Sequence, residues 1–360
     1  MAEEVPSAIK SHKSPYPTFG KLESNDPRFD KLFPAGAKME KLAEGFEWCE
    51  GPVWVTDGKF LLFSDIPRNM VMKWKDGEGI SVYMKPSGYT GIVDYGREPG
   101  SNANTLDSQG RLTQCEHGDR RISVLTKDGG KKTLADNFQG KRLNSPNDLV
   151  YKSNGDLFFT DPIYGLPQHE NDPRRELPFC GVYQLQRSPA TTKITILPDG
   201  KPVFESLAKP NPDYYEIKLV TAQMTRPNGL AFSPDEKKLY VTNSDAPNNA
   251  TYMVFELQPD GSYGNGKLFF DASSRAKAGK VGNPDGMKVD KDGNLWATGP
   301  GGLLVFAPDG THLGTINPDT NDPISNCAWG DDGSTLYMTV NHTLARIKTN
   351  TKGAGLIKFE

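Results

Sequence analysis

Glu50, Asn102, Asn147, Asn228, Asp285 and Ser325 each open one copy of a short phrase that recurs six times along a chain of 360 residues. The copies read EGPVWVTDG, NANTLDSQG, NDLVYKSNG, NGLAFSPDE, DGMKVDKDG and SNCAWGDDG. Two of the openers are carboxylates and three are carboxamides. Brought together, they form an all-oxygen donor set. Hard cations such as Ca²⁺ prefer such sets, taking six to eight ligands at about 2.3–2.6 Å. No grouping of His with Cys competes as a transition-metal site. A single Asn or Asp in such a place more simply accepts a turn hydrogen bond. Several at equivalent positions of a repeat point to a shared cation.

For these oxygens to meet, the copies must stand in a ring with every opener at the same end. Four positions after each opener comes a large apolar residue: Trp54, Leu106, Tyr151, Phe232, Val289 or Trp329. A turn follows, ending in Gly in five copies and in Glu236 in the fourth. A second apolar strand then begins (FLLFSD, RLTQCE, DLFFTD, KLYVTNS, NLWATG, STLYMTV). Each copy therefore reads as a β-hairpin. The openers are 52, 45, 81, 57 and 40 residues apart. Periods of about 40–50 residues mark propeller blades, four-stranded sheets that cannot bury their faces alone.

Outer strands are expected at MVMKWKD and ISVYMKP, RISVLTK and KKTLADN, GVYQLQR and KITILPD, TYMVFELQ and GKLFFDA, GLLVFAPDG and THLGTI, and LARIKTN. The sixth blade lacks one strand, which the segment around KMEKLAEG can supply, closing the ring. The expected fold is all-β: a six-bladed β-propeller with four-stranded antiparallel blades over 36–360. Residues 1–35 form a tail on its outside. The polar, turn-rich segment 163–180 leaves a second strand on the openers' face and is expected to act as a lid.

Charges are mixed in sign, with a formal net charge of −3. That composition argues against nucleic acid or an anionic membrane as partner. No stretch approaches the roughly 18 apolar residues of a membrane span, and the N-terminus lacks the apolar core of a secretory signal. A soluble protein is expected, cytoplasmic, or periplasmic or secreted if a leader has been removed. Cys49, Cys115, Cys180 and Cys327 form no CxxC pair and read as buried free thiols.

The strings EGPVW, SPNDLVYKSNGDLFFTDPIYG, RPNGLAFSPDEKKLYVTNSD and NPDGMKVDKDGNLWATGPGGLLVFAPDG resemble the senescence marker protein-30/gluconolactonase family of six-bladed propellers. CEHGDRR in the second copy is similar to the bacterial gluconolactonase-like branch. The resemblance runs over nearly the whole chain and implies one divalent ion, usually Ca²⁺, at the top of the central channel. Its ligands are the Glu of EGP, the Asn of the ND motif, the Asn of NG and the Asp of PDG. These fall on Glu50, Asn147, Asn228 and Asp285 without departure. Mg²⁺, Mn²⁺ and Zn²⁺ stay open as alternatives. The resemblance also implies hydrolysis of sugar-acid lactones; relatives act on other lactones, esters or organophosphates.

A cation with open positions can polarise a lactone carbonyl and offset the charge of the tetrahedral oxyanion. A general base must then stand within about 2.6–3.2 Å of the attacking water. Asp285 and Glu50 are the candidates, Asp285 the preferred one. His117, which follows the second strand of copy two, either shuttles a proton or hydrogen-bonds a loop. Arg142, five residues before Asn147, either reaches the substrate or forms a surface salt bridge. Tyr164 stacks on a sugar-like ring or packs the lid base. Asn102 offers a substrate hydrogen bond or a water-mediated metal contact. Three readings remain: a lactonase acting on a small sugar-acid lactone, the same metal site acting on another ester or phosphotriester, and a non-catalytic ligand-binding propeller with a structural ion.

Overall fold

The computed structural model describes residues 3–187, 190–196, 198, 201–211 and 215–355. Six antiparallel four-stranded sheets form the blades of a propeller. Their first strands are Cys49–Val55, Ser101–Leu106, Leu149–Tyr151, Pro227–Phe232, Met287–Val289 and Asn326–Gly330. Each pairs with the apolar strand after its turn, as the phrase predicts. Gly110, Gly155, Gly293 and Gly333 close these turns at positive φ, and Glu236 takes the same conformation at φ 56°. Its carboxylate accepts hydrogen bonds from the amide and hydroxyl of Ser153, at 2.6 and 2.9 Å, which offset that backbone's cost.

The apolar residue four places after each opener packs between blades. Trp54 stacks on Tyr337 of blade six, with ring centroids 5.3 Å apart. Phe232 meets Phe158 of blade three edge-on at 5.0 Å, and Trp329 meets Trp296 of blade five at 5.1 Å. Burying such side chains, each worth about 1.5–3 kcal/mol, is what makes one blade adhere to the next.

Ring closure uses the N-terminal segment: Met39–Glu44 is the outermost strand of blade six and pairs with Thr343–Lys348. Farther toward the N-terminus, Lys10–Ser11 and Thr18–Phe19 pair with that closing strand. Lys21–Ser24 extends blade five by pairing with His312–Asn317. Phe29, in the short helix Pro27–Asp30, is buried in the core beside blade five.

Blade three departs from the sequence expectation. Its outer strand is Tyr215–Thr221, not KITILPD. Ala190–Ile196 instead pairs with Pro202–Asn211 as a separate two-stranded hairpin inserted between the third and fourth strands. The inserted hairpin carries the same alternation as a blade strand, so pattern alone selects the wrong one. All four cysteines are buried free thiols. No helix among the described residues is long and apolar enough to cross a membrane.

Candidate active site

Two repeated devices hold the openers in place. The first grips the loop ahead of the opener. In blade three the Asp161 carboxylate accepts the Asn144 N–H at 2.8 Å, three residues before Asn147. In blade one Asp65 accepts the N–H groups of Glu47 and Trp48, at 3.1 and 3.2 Å, just before Glu50. In blade four the Asn243 side-chain oxygen accepts the Arg226 N–H at 2.8 Å, two residues before Asn228.

The second device ties neighbouring blades. Hydroxyls of Ser64, Thr160, Thr242 and Thr298, all in second strands, donate to the carbonyls of the next blade's openers: Asn102 at 2.8 Å, Asn228 at 2.7 Å, Asp285 at 2.9 Å and Ser325 at 3.2 Å. Ser325 ties blade six to blade one by donating to the Cys49 carbonyl at 2.8 Å, and blade two reaches blade three through the Ala103 N–H, which donates to the Asn147 carbonyl at 3.0 Å. Glycines permit this closeness. A Cβ on Gly51 would stand 2.3 Å from the Asn102 carbonyl oxygen, and one on Gly229 would stand 2.1 Å from that of Asp285.

So positioned, Glu50, Asn147, Asn228 and Asp285 line one cleft of about 320 Å³, together with Asn102 and Tyr164. Glu50 is buried, with one oxygen accepting the Gly51 N–H. Asp285 retains some surface toward the cleft, and the Gly286 N–H that follows it donates to the Ser325 carbonyl at 2.8 Å. Both carboxyls are pushed well above the usual carboxylate range. Burial is the main cause for each, followed by the charges of Asp285 and Asp148 for Glu50, and of Asp148 and Glu98 for Asp285. Asp148, also buried, accepts a bond from Asn326 Nδ2 at 3.3 Å, and the same amide lies 3.5 Å from Glu50 Oε1.

Around this negative charge, the side-chain oxygens of Asn102, Asn147 and Asn228 are buried without a hydrogen-bond partner. An unsatisfied buried acceptor costs about 1–3 kcal/mol, and three at one cleft exceed what a folded protein normally leaves unpaired. No grouping of three or more His, Cys, Asp or Glu among the described residues is arranged for a metal ion. The openers offer something different, the carboxylates of Glu50 and Asp285 and three amide oxygens with a surplus of acceptors. That chemistry fits a hard divalent cation.

The other sequence candidates are placed as follows. Tyr164 walls the cleft, and its hydroxyl donates to the Ser244 carbonyl at 2.7 Å; burial raises its pKa. His117 is wholly buried and does not line the cleft. Its Nε2 lies 3.2 Å from Asn102 Nδ2 and its Nδ1 lies 3.3 Å from Glu98 Oε2. One ring nitrogen thus stands against the Asn102 amide and the other against the Glu98 carboxylate. Arg142 is exposed and turned away, donating to the Asp119 carbonyl at 2.7 Å while its own N–H donates to Glu176 at 2.8 Å. It lies in the exposed two-residue strand Lys141–Arg142, paired with Asn137–Phe138, so proximity to Asn147 in sequence does not bring its side chain to the cleft.

Two lining residues escape the sequence reading: Trp48, two residues before Glu50, and Glu98, four before Asn102. Their one signal is position, because residues just ahead of an opener reach the same mouth. The segment 163–180 enters the cleft wall through Tyr164 and is anchored by a small buried cluster of Ile163, Leu166 and Cys180. Arg174 lies over the ring of Tyr95 at 4.8 Å, linking this segment to the loop that carries Glu98.

The comparisons agree with this architecture. The chain is 38% identical over 350 residues to a gluconolactonase of Zymomonas mobilis, covering 93% of this chain and 88% of that relative. A solved gluconolactonase from Xanthomonas campestris superposes with a TM-score of 0.72 at 27% identity, covering 97% of this chain and 98% of the other. A calcium-binding regucalcin from Agrobacterium tumefaciens shares the fold at 17% identity, with a TM-score of 0.58 over 88% of this chain and 93% of the other. With residues 48–342 matching the family model, the chain belongs to the SMP-30/gluconolactonase/LRE-like family.

Proposed function

We propose that the protein is a lactonase that opens the ring of sugar-acid lactones, with a divalent cation held by Glu50, Asn147, Asn228 and Asp285. One observation carries the reading. A buried and a half-buried carboxylate converge with partnerless carboxamide oxygens in a single cleft, in a chain similar along its length to a gluconolactonase. When bound, such a cation supplies Lewis-acid polarisation of the lactone carbonyl and stabilises the developing oxyanion. Ca²⁺ suits the oxygen donors best, with Mg²⁺, Mn²⁺ or Zn²⁺ as substitutes.

The chain's own residues divide the remaining work. Asp285, open to the cleft on one side, takes the proton of the attacking water as general base. Glu50 is more enclosed and serves chiefly as ligand and fixed charge. Asn102 presents its side-chain oxygen to a substrate hydroxyl, with its orientation set by His117. His117 is thus a positioning residue rather than one in contact with substrate. Tyr164 supplies an apolar wall for the ring, and 163–180 acts as the lid that limits water.

The test is to strip the protein with EDTA and assay a panel of γ- and δ-lactones, an aryl ester and a phosphotriester with a pH indicator. The lactones should be opened only after Ca²⁺, Mg²⁺, Mn²⁺ or Zn²⁺ is returned. Turnover indifferent to chelation excludes the cation's role, and turnover of the ester or phosphotriester alone excludes the lactonase.

A further inference from the structure

We propose that Glu98 is a specificity-determining residue that makes the cleft select uncharged polyhydroxy lactones and reject lactones carrying a carboxylate, sulfonate or phosphate. The inference rests on the lactonase reading above and names the substrate class within it. Three carboxylates line the cleft, those of Glu50, Asp285 and Glu98, and no Lys or Arg does among the described residues. Asp148, buried beside Asn147, adds a fourth acidic group behind them, and among the described residues the one cation acting there, Lys288, bears on Glu50 and Asp148 from outside the lining and does not bear on Glu98.

The guanidinium of Arg226, outside the lining, lies over the Tyr164 ring at 5.8 Å and is already engaged by Glu170 at 2.5 Å and Asp245 at 3.9 Å. Arg97, next to Glu98 in sequence, is exposed and is not part of the lining. A divalent cation offsets Glu50 and Asp285, and no more. Glu98 stays as an unbalanced negative group whose side chain is 35% exposed, on the loop that meets the lid. On its protein side it faces His117 Nδ1 at 3.3 Å, which leaves it able to accept hydrogen bonds from substrate hydroxyls.

An anionic substituent brought to about 6 Å from such a carboxylate, at an effective dielectric near 20, loses about 100-fold in binding. An uncharged hydroxyl at the same place gains a charge-assisted hydrogen bond instead.

A matched pair of substrates tests this. D-Glucono-1,4-lactone and D-glucaro-1,4-lactone differ only in carrying a terminal CH₂OH or a carboxylate. Their kcat/KM ratio is measured on the cation-loaded protein and on the Glu98→Gln variant, at low and at about 0.5 M salt. The native ratio is expected to be about 100 in favour of the neutral lactone, and to shrink at high salt as the Debye length contracts to a few ångströms. Glu98→Gln should bring it to about 10 or less. A native ratio within about 3, a ratio unmoved by salt, or one unchanged in Glu98→Gln overturns the proposal. If Glu98→Gln does not fold, Glu98→Ala is measured in its place, and a ratio that stays near 100 there overturns the proposal. If the protein opens neither lactone, the lactonase reading fails along with this inference. A neutral lactone opened without discrimination removes only the inference.

Discussion

Thr160 of blade three donates its hydroxyl at 2.7 Å to the backbone carbonyl of Asn228, the opener of blade four, and the same oxygen accepts the Asp148 N–H at 3.1 Å. One side chain therefore joins two blades at the rim of the cleft. Thr160→Val keeps the shape and removes both bonds, leaving buried backbone groups unpaired. A loss of about 1–3 kcal/mol is expected in urea unfolding, with weaker Ca²⁺ binding by calorimetry because Asn228 loses its tether. Native cation affinity in the variant would show that the tether does not set the ligand's place.

Gly229 is a position where one methyl group should disturb the site. Its Cβ would lie 2.1 Å from the Asp285 carbonyl oxygen and 2.7 Å from the Gly286 Cα, both main-chain atoms that cannot swing aside. Gly229→Ala is expected to cost about 1–3 kcal/mol through overpacking and to lower lactone turnover by displacing Asp285. A variant melting and turning over like the native protein would mean that the blades separate more easily than the contact implies.

The crowded carboxylates predict a crossing of stabilities. Without a cation, Glu50 is held in a buried place beside the charges of Asp285 and Asp148. Glu50→Gln removes one of these charges, so the chelated variant should melt above the chelated native protein near pH 8. Saturating Ca²⁺ should reverse the order: at about 100 times Kd it adds about 2.7 kcal/mol to the native protein and little to the variant. If chelated Glu50→Gln melts lower than native, the repulsion is not the dominant cost at this site.

Asp161 gives a pH signature outside the ligand set. It is wholly buried, and its pKa is pushed up to about 7, chiefly by burial, against the opposing effects of the Asn144 N–H and the Arg120 charge. The unfolded chain ionises this group near 3.9. A raised folded-state pKa means that its contribution to stability is fully present below about pH 4 and is lost as pH rises through about 7. Relative to Asp161→Asn, the native protein should lose on the order of 1–4 kcal/mol across that window and nothing further above it. A stability difference independent of pH would show that Asp161 is ionised throughout.

The fold was legible because six copies of one phrase repeat the same decision: opener, apolar residue, turn, second strand. Closure by KMEKLAEG could be read by counting strands, since blade six lacked one. The outer strand of blade three could not, because an inserted hairpin offers a second candidate with equal alternation. Within the cleft, residues fixed by the repeat were readable, whereas Trp48 and Glu98 lie in loops, and Arg142 in the small hairpin of Asn137–Phe138 with Lys141–Arg142, whose course the repeat does not set. Trp48 and Glu98 turn inward and Arg142 turns outward, although all three precede an opener by five residues or fewer. The hydroxyls of Ser64, Thr160, Thr242 and Thr298 stand at one repeat position, but their partners are carbonyls on another blade, which no local pattern reveals.

Because Met39–Glu44 completes the blade built from Asn326–Lys348, the first and last thirds of the polypeptide meet at a single seam. Blade six stands between blade five, which Asp285 opens, and blade one, which carries Glu50, so the seam lies within the arc that joins the two carboxylates. The cleft therefore depends on the pairing of Met39–Glu44 with Thr343–Lys348 as much as on its own lining.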